Sequence, residues 1–279
     1  MSSGKYHIIV DSDQKKSFFD LGEVWRFKDL FLTLAYRDLR IRYAQTFLGL
    51  IWVILQPALT LFVISIVFGR FINIDTGNIP YPLFSMTGIS LWMYFSFVLS
   101  QSGNSIISAQ EMVKKIYFPR IIIPLSKAVV GLIDLIVAMV MMAILFIYYG
   151  VMPSSEFYLF PIFIMLVIIS SLSIGIWLSA LTVRFRDFQY VVPFIIQFGL
   201  YITPVAYPTT MVHNFLPDWA IAIYYINPMA GLTDGFRWCL FGTQAPDFYF
   251  WISMITTLVL FISSLVYFGR VERKMADLV

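Results

Sequence analysis

Six long apolar runs restrict this chain more than any other feature of its sequence. They lie at about 47–68, 84–108, 121–149, 159–183, 190–208 and 248–268. A helix rises about 1.5 Å per residue, so runs of this length cross, or nearly cross, about 30 Å of hydrocarbon. Pro193 and Pro204 interrupt the fifth run, which is the weakest of the six. The pattern predicts an all-α integral membrane protein with six transmembrane helices.

The composition excludes a soluble domain. Of the 279 residues, 59% are hydrophobic and only 13% are charged, about half the charged share of a soluble protein. A soluble domain of this size cannot hide that much apolar surface, because many of its residues must face water. A single cysteine, Cys239, excludes a disulfide scaffold, and the net charge of +3 does not indicate nucleic acid binding. We expect a cytosolic tail at 1–25 and one transmembrane domain at 26–279.

The distribution of Lys and Arg predicts the orientation. The cationic segments are the N-terminal region, the connections at 109–120 and 184–186, and the C-terminus, whereas the other connections contain only Arg70 and Arg237. Cytoplasmic loops carry the excess of positive charge. Six spans with both termini in the cytoplasm satisfy this rule at every loop. Between the fifth and sixth spans, the apolar pieces 216–226 and 229–241 are too short to cross, which predicts re-entrant or interfacial helices.

The segment before the first run combines positive charge with helical spacing of apolar residues. Its apolar residues are Phe27, Leu30, Phe31, Leu34 and Ala35, and its cations are Arg26, Lys28, Arg37, Arg40 and Arg42. This pattern predicts an N-terminal amphipathic helix at 26–43 that lies in the cytoplasmic headgroup layer. The alternative is a plain cluster of positive charges, and both interpretations place the segment on the cytoplasmic side.

Sequence motifs for catalysis or nucleotide binding are absent. There is no G-x-x-x-x-G-K-[ST], H-E-x-x-H, G-x-S-x-G or CxxC, so we expect no catalytic residue and no metal site in this chain. Asp134 lies near the middle of the third run, seven residues from Lys127 and too far for a direct pair. It is either a channel-lining or subunit-contact residue, or a polar packing residue bonded to a neighbouring helix.

The connection at 110–120 is short, basic and helical until Pro119. A basic helix on a cytoplasmic loop is suited to docking a soluble partner. The alternative is an ordinary positively charged hairpin.

Several motifs in a fixed order resemble one family, the permease subunit of bacterial polysaccharide-exporting ABC transporters, which serves O-antigen, capsule and teichoic acid export. The similarity extends over about 27–270. The motifs are Arg-Asp-Leu-Arg-Ile-Arg-Tyr at 37–43, Thr46-Phe47-Leu48-Gly49 with Trp52, Gln56-Pro57, Val-Lys-Lys-Ile-Tyr-Phe-Pro-Arg at 113–120, Arg184-Phe185-Arg186-Asp187, Thr203-Pro204-Val205, Tyr207-Pro208 and Asn227-Pro228-Met229.

The resemblance implies a homodimer in the bacterial cytoplasmic (inner) membrane, with two ATPase subunits that bind ATP and Mg, while this chain holds no cofactor. The substrate would be a lipid-linked polysaccharide such as polyprenyl-pyrophosphate-linked O-antigen. The amphipathic helix would be the family's interface helix. The two short apolar pieces would be an external gate around Asn227 and Pro228. The basic loop would be the coupling helix, with Glu111, Lys114, Lys115, Ile116, Tyr117, Phe118 and Arg120.

Two further groups of residues are candidates for substrate contact. Arg37, Arg40 and Arg42 are expected to meet the pyrophosphate, because Arg binds phosphate in a bidentate manner. Aromatic residues on one face of the fifth run are expected to line the channel, since aromatic rings stack on sugars. They are Tyr190, Phe194, Phe198 and Tyr201. Packing in lipid is the alternative for these rings, although the first and fifth spans line the channel in related permeases.

Two other functions remain as alternatives. One is an ion-coupled flippase, which usually needs more buried ionisable groups than this chain offers. The other is a membrane enzyme acting on polyprenyl-linked sugars, which would need clustered acids or histidines. The external connections contain only the scattered acids Asp75, Glu156, Asp218, Asp234 and Asp247.

Overall fold

The computed structural model describes residues 21–43, 49–273 and 275, and in these ranges regular structure is exclusively helical. The predicted all-α class is confirmed there. Most of the expected tail, the start of the first run and the motif residues 46–48 lie outside the described residues. The helices are α1 (Leu21–Arg26), α2 (Lys28–Tyr43), α3 (Gly49–Ile64), α4 (Tyr81–Gly103), α5 (Ser105–Ser108), α6 (Gln110–Lys115), α7 (Ile122–Tyr149), α8 (Phe160–Arg184), α9 (Phe188–Ile202), α10 (Thr209–Phe215), α11 (Asp218–Tyr224), α12 (Pro228–Phe241) and α13 (Phe248–Glu272).

Within the described ranges, five helical segments are long and apolar enough to cross a membrane. They are Ile51–Phe71, Tyr81–Gly103, Ile122–Tyr149, Ser155–Arg184 and Phe248–Glu272. The first continues α3 through a π-helical turn, and the fourth begins with a short 3₁₀ turn before α8. The chain is therefore a multi-pass membrane protein.

The fifth predicted span is shorter than expected. Helix α9 has 15 residues, about 22 Å of helix, which falls short of the hydrocarbon thickness. It ends because Thr203 is extended, as the residue before a proline prefers. The count of six spans therefore stays a prediction.

Helix α9 and the segment after it nevertheless follow α4 in the opposite direction. A Cβ on Gly103 would lie 3.5 Å from Cγ2 of Val192, at the start of α9. A Cβ on Gly88 would lie 2.8 Å from the backbone of Val205, beyond the end of α9. The segment 192–205 thus runs alongside residues 88–103 of α4, a height of about 22 Å.

Helix α4 lies at the centre of the bundle, packed on α7 and α8, while α8 also packs along α13. In the apolar window of α4, 78% of residues are buried, against 11% for the first span. Small residues permit this close packing: a Cβ on Gly175 of α8 would lie only 2.9 Å from Ser102. Buried serines bond their own helix backbone, as Ser90 does to the carbonyl of Met86 at 2.7 Å.

A second apolar cluster closes the end of the bundle that is predicted to be cytoplasmic. It joins Leu34 of α2, Val113 of α6 and Phe118 to the start of α7 and to the ends of α8 and α13. Arg120 also bonds Glu272 at the end of α13, both through its backbone N–H and through Nη1, each at 2.6 Å. The amphipathic helix and the basic loop therefore belong to one packed unit.

The opposite end carries α10, α11 and α12, each shorter than a membrane span. Three helices replace the two pieces expected here, because 209–215 is also helical. Proline precedes two of them, Pro208 before α10 and Pro217 before α11, and proline cannot continue a preceding helix. A small apolar cluster of Ile221, Tyr225 and Ala230 packs α11 and α12 together.

Candidate functional site

Several helices of the transmembrane bundle have exposed apolar faces, among them α7 and α13, and we call those on α3 and α9 the bare faces. Trp52, Leu55, Leu59 and Phe62 of α3 are exposed, although they are strongly apolar. Large contiguous apolar patches indicate a contact with lipid or with another protein surface. Both helices contact α4, and residues of α3, α4 and α9 together line one cavity, so a groove lies between α3 and α9.

The four aromatic residues predicted to line a channel lie on the bare face of α9. Tyr190, Phe194, Phe198 and Tyr201 are all exposed. The rings of Phe194 and Phe198 are in contact, with 4.2 Å between their centroids. The structure therefore brings these residues into one stripe on one surface. In a single chain this surface is exposed. Exposure is expected both for the wall of a conduit and for a surface that contacts lipid.

Ion pairs attach the amphipathic helix to α7. Nη2 of Arg42 lies 2.7 Å from Oδ2 of Asp134, and the Tyr43 hydroxyl donates to Oδ1 at 3.0 Å. Nζ of Lys127 lies 2.6 Å from Oδ2 of Asp38, one turn earlier on α2. Burial, and then the charge of Asp134, raise the pKa of Tyr43 to about 12, so its hydroxyl stays protonated and donates. Asp134 is thus bonded to a neighbouring helix, which was one of its two predicted roles.

This docking separates the three arginines predicted to bind pyrophosphate. Arg40 is exposed, and Arg37 is exposed while pairing with Asp38 at 2.9 Å. Arg42 is partly buried, and its charge is compensated by Asp134. Sequence reasoning missed Asp38, although its spacing of one helical turn from Arg42 is a recognisable signal for two charges on one face.

The predicted coupling residues form two groups. Four of them, Glu111, Lys114, Ile116 and Tyr117, are exposed, as is Lys115, which pairs with Glu111 at 3.0 Å. Two others point inward: Phe118 is buried in the apolar cluster, and Arg120 bonds Glu272. The exposed group is a surface that a partner can reach, and the inward group fixes that surface to the bundle. We call Glu111, Lys114, Lys115, Ile116 and Tyr117 the coupling surface.

The predicted gate residues have a defined structural role. Oδ1 of Asn227 accepts from the backbone N–H of Met229 at 3.1 Å and so caps α12. Its Nδ2 donates to Thr203 at 2.9 Å, which links α12 to the end of α9. Pro228 follows as the first residue of α12, where its fixed φ suits a helix.

A buried arginine at this end was missed by sequence reasoning, which counted Arg237 among the loop charges. Its Nη2 donates to the carbonyl of Val205 at 2.8 Å, and its Nε donates to Thr87 at 3.2 Å. Nη1 reaches the carbonyl of Tyr207 at 3.3 Å, and the guanidinium lies 3.7 Å from the ring centroid of Phe84. Arg237 therefore joins α12, α4 and the segment after α9.

Asp234, one turn before Arg237, is likewise part of a network. It accepts from the hydroxyl of Thr209 at 2.7 Å and from that of Tyr225 at 2.6 Å. These groups border a cavity of about 440 Å³ at the end of the bundle that is predicted to be external, and the cavity also contacts His213 and Asp247. The signal in the sequence was two charges three residues apart, Asp234 and Arg237, inside an apolar helix.

Comparison with known proteins identifies the family. Residues 29–241, from α2 to the end of α12, match the family described as ABC-2 type transporter. The chain is 30% identical over 265 residues to the O-antigen export system permease protein RfbA of Klebsiella pneumoniae, covering 94% of this chain and 98% of that protein. It is 27% identical over 226 residues to the protein of the same name from Myxococcus xanthus, covering 81% and 85%. It is 22% identical over 253 residues to the polysialic acid transport protein KpsM of Escherichia coli, covering 88% and 94%. This multi-pass chain belongs to the ABC-2 type transporter family.

Proposed function

We propose that this chain is the membrane-spanning subunit of an ATP-driven exporter that moves lipid-linked polysaccharide across the bacterial cytoplasmic membrane. One observation carries the proposal: the chain aligns over 94% of its length with a protein named as an O-antigen export permease. The proposed substrate is an O-antigen-like polymer attached to a polyprenyl-pyrophosphate carrier. The chain would have no enzymatic activity alone.

The coupling surface supports a separate ATPase as partner. It is exposed, lies at the predicted cytoplasmic end, and is fixed to α13 through Arg120 and to the interface helix through the apolar cluster. A force applied there by a docked partner would reach α2, α7, α8 and α13. ATP and Mg would bind that partner.

The bare faces of α3 and α9 support a homodimer. A second copy facing the same groove would cover exposed apolar residues and enclose a conduit lined by Tyr190, Phe194, Phe198 and Tyr201. Aromatic faces hold sugars without one fixed hydrogen-bond geometry, which suits a moving polymer. The antiparallel course of 192–205 along α4 supports six spans with both termini in the cytoplasm.

The pyrophosphate would approach the exposed arginines Arg37 and Arg40 at the membrane surface, while Arg42 lies deeper. Gate movements at the external end would involve α10 to α12, since Asn227 and Pro228 join this unit to the end of α9.

Deletion of the gene in its own bacterium tests the function. We expect loss of surface polysaccharide and accumulation of lipid-linked polymer on the cytoplasmic side, with both effects reversed by the intact gene. The matched control is a hydrolysis-deficient variant of the ATPase partner, which should give the same accumulation. Unchanged surface polysaccharide, with no accumulation inside, would overturn the proposal.

A further inference from the structure

An apolar groove lies on the side of the bundle where α7, the start of α8 and the end of α12 meet. Its volume is about 520 Å³, within the range of ligand sites. We call it the outer groove. Met142, Phe146 and Leu240 are buried in its floor, and Ile147 and Met152 are exposed at its edges. Its lining residues in the described chain all lie outside α3 and α9, so the outer groove is separate from the proposed conduit.

The height of the outer groove corresponds to one leaflet of a bilayer. Its lining runs along α7 from Met139 to Gly150, which are 11 positions or about 16 Å of helix apart. One leaflet contributes about 15 Å of hydrocarbon. Tyr148, Tyr149 and Tyr158 are exposed at the end of the groove that is predicted to be external, and tyrosine is typical of the headgroup region. The groove therefore covers the depth that an acyl chain of the external leaflet occupies.

The lining of the outer groove suits a flexible hydrocarbon chain. It consists of apolar residues, and three of them are methionines. Methionine side chains are unbranched and adapt to irregular shapes. The rings of Phe157 and Phe160 stack with 5.3 Å between their centroids and form the wall at the start of α8. The groove thus accepts an acyl chain and offers no side-chain hydrogen bond to a sugar or a phosphate.

A carboxylate lies at the mouth of the outer groove. Glu156 belongs to the 3₁₀ turn Ser155–Leu159 and is next to the lining residue Phe157. The thiol of Cys239 donates to the carbonyl of Glu156 at 3.3 Å, and the hydroxyl of Ser154 donates to the carbonyl of Cys239 at 2.8 Å. These bonds attach the turn that carries Glu156 to the end of α12.

The surroundings of Glu156 favour a cationic headgroup. The connection 150–159 contains no Lys or Arg. Helices α7 and α12 both end beside the mouth, at Tyr149 and Phe241, and helix C-termini carry partial negative charge. Helix α8 begins there and contributes the opposite partial charge. Two C-termini and a carboxylate outweigh one N-terminus, so the mouth attracts an ammonium group and repels a headgroup that is only anionic.

We propose that the outer groove binds one phospholipid of the external leaflet, with an acyl chain in the groove and an ethanolamine headgroup beside Glu156. The ammonium group of phosphatidylethanolamine donates hydrogen bonds to the carboxylate. The site lies outside the proposed export pathway, so the proposal does not depend on which substrate the chain exports.

Photo-cross-linking with labelled lipids tests the assignment on the full chain, purified together with its ATPase. The complex is placed in nanodiscs of equal parts phosphatidylethanolamine and phosphatidylglycerol. A trace of one of the two lipids carries a photoreactive diazirine in its acyl chain, and the two tracers differ only in their headgroups. Mass spectrometry of peptides then locates the adducts along α7.

We expect adducts between Met139 and Gly150, with a yield for the ethanolamine tracer about three-fold above that of the glycerol tracer, the effect of one partly exposed ion pair. Glu156→Gln should make the two yields equal, and Glu156→Asp should keep most of the preference. Equal yields in the unmodified chain, or a higher yield for phosphatidylglycerol, would overturn the proposal. Selective loss of these adducts on addition of polyprenyl phosphate would assign the groove to the carrier lipid and would also overturn it.

A groove-filling variant separates the outer groove from the rest of the lipid-facing surface. Ala143 lines the groove and is exposed, so Ala143→Trp should occupy the groove without disturbing the core. The yield of ethanolamine adducts should fall several-fold, with an unchanged melting temperature. Val140→Trp is the matched control, because Val140 is 54% exposed on the same helix and does not line the groove. An equal effect of the two variants would show that the tracer contacts α7 without using the groove, and would overturn the proposal.

Discussion

Arg42 and Asp134 are 92 residues apart in the chain, and their side chains lie 2.7 Å apart where α2 docks on α7. The pair is partly buried, with 31% of the Arg42 side chain and 16% of the Asp134 side chain exposed. It attaches a helix at the membrane surface to the body of the bundle. Loss of this pair should therefore change the stability of the protein more than loss of a surface ion pair would.

Asp134→Ala should destabilise the protein by about 1–3 kcal/mol, because it leaves the partly buried charge of Arg42 uncompensated. The double variant Arg42→Met with Asp134→Leu should recover most of this loss, since it removes both charges and keeps apolar volume. Denaturation in detergent micelles measures the free energy of unfolding. Asp187→Asn, at an exposed site, is the control. Equal losses in the single and double variants would contradict the assignment.

Lys114→Glu with Lys115→Glu should leave stability almost unchanged, because both side chains are exposed and the pair between Lys115 and Glu111 is a surface pair worth about 1 kcal/mol or less. It should reduce binding of the ATPase and therefore export. Co-purification of the two subunits and surface polysaccharide are measured together. Lys28→Glu, on α2, is the control. Normal export by the double variant would show that this surface does not couple the subunits.

Arg40→Gln with Arg37→Gln should raise the substrate concentration for half-maximal ATPase stimulation, because exposed cations that attract phosphate are lost. The melting temperature should hardly change. Arg42→Gln should instead lower the melting temperature, since it unpairs Asp134. If the ATPase stimulation of the Arg37 and Arg40 double variant is unchanged, α2 does not contact the phosphate and serves only as a membrane anchor.

Phe198→Leu with Tyr201→Leu tests the aromatic stripe. If the stripe forms a conduit, export should fall several-fold while protein level and ATPase binding stay normal, because leucine cannot stack on sugars. The measurement is surface polysaccharide per unit of membrane-inserted permease. Phe248→Leu, an exposed position at the start of α13, is the control. Normal export in the double variant would favour lipid packing, where a leucine is tolerated.

Gly88→Ala should destabilise the protein by about 1–3 kcal/mol, the usual cost of overpacking. Its Cβ would lie 2.8 Å from the Cα and carbonyl oxygen of Val205, and backbone atoms cannot move aside as a side chain can. Gly103→Ala is the matched control on the same helix, because its nearest contacts would be an ordinary 3.5 Å. Equal melting temperatures for the two variants would contradict the close approach of this segment to α4.

The helical segments were predictable because each depends on local hydropathy. The third, fourth and sixth apolar runs begin within one residue of α7, α8 and α13. The amphipathic helix was also visible, since its apolar residues recur every three or four positions. Apolar length, charge placement and helical period act over neighbouring residues, and a sequence displays them directly.

The partners of the charged residues were decided only by the tertiary structure. Which helix meets Asp134, and which carbonyls surround Arg237, depend on how helices far apart in the chain cross. The same holds for the burial of α4 and the bare faces of α3 and α9, because all three are apolar runs in sequence. Hydropathy places a helix in the membrane, but packing between helices determines which of its faces meets protein, lipid or a polar cavity.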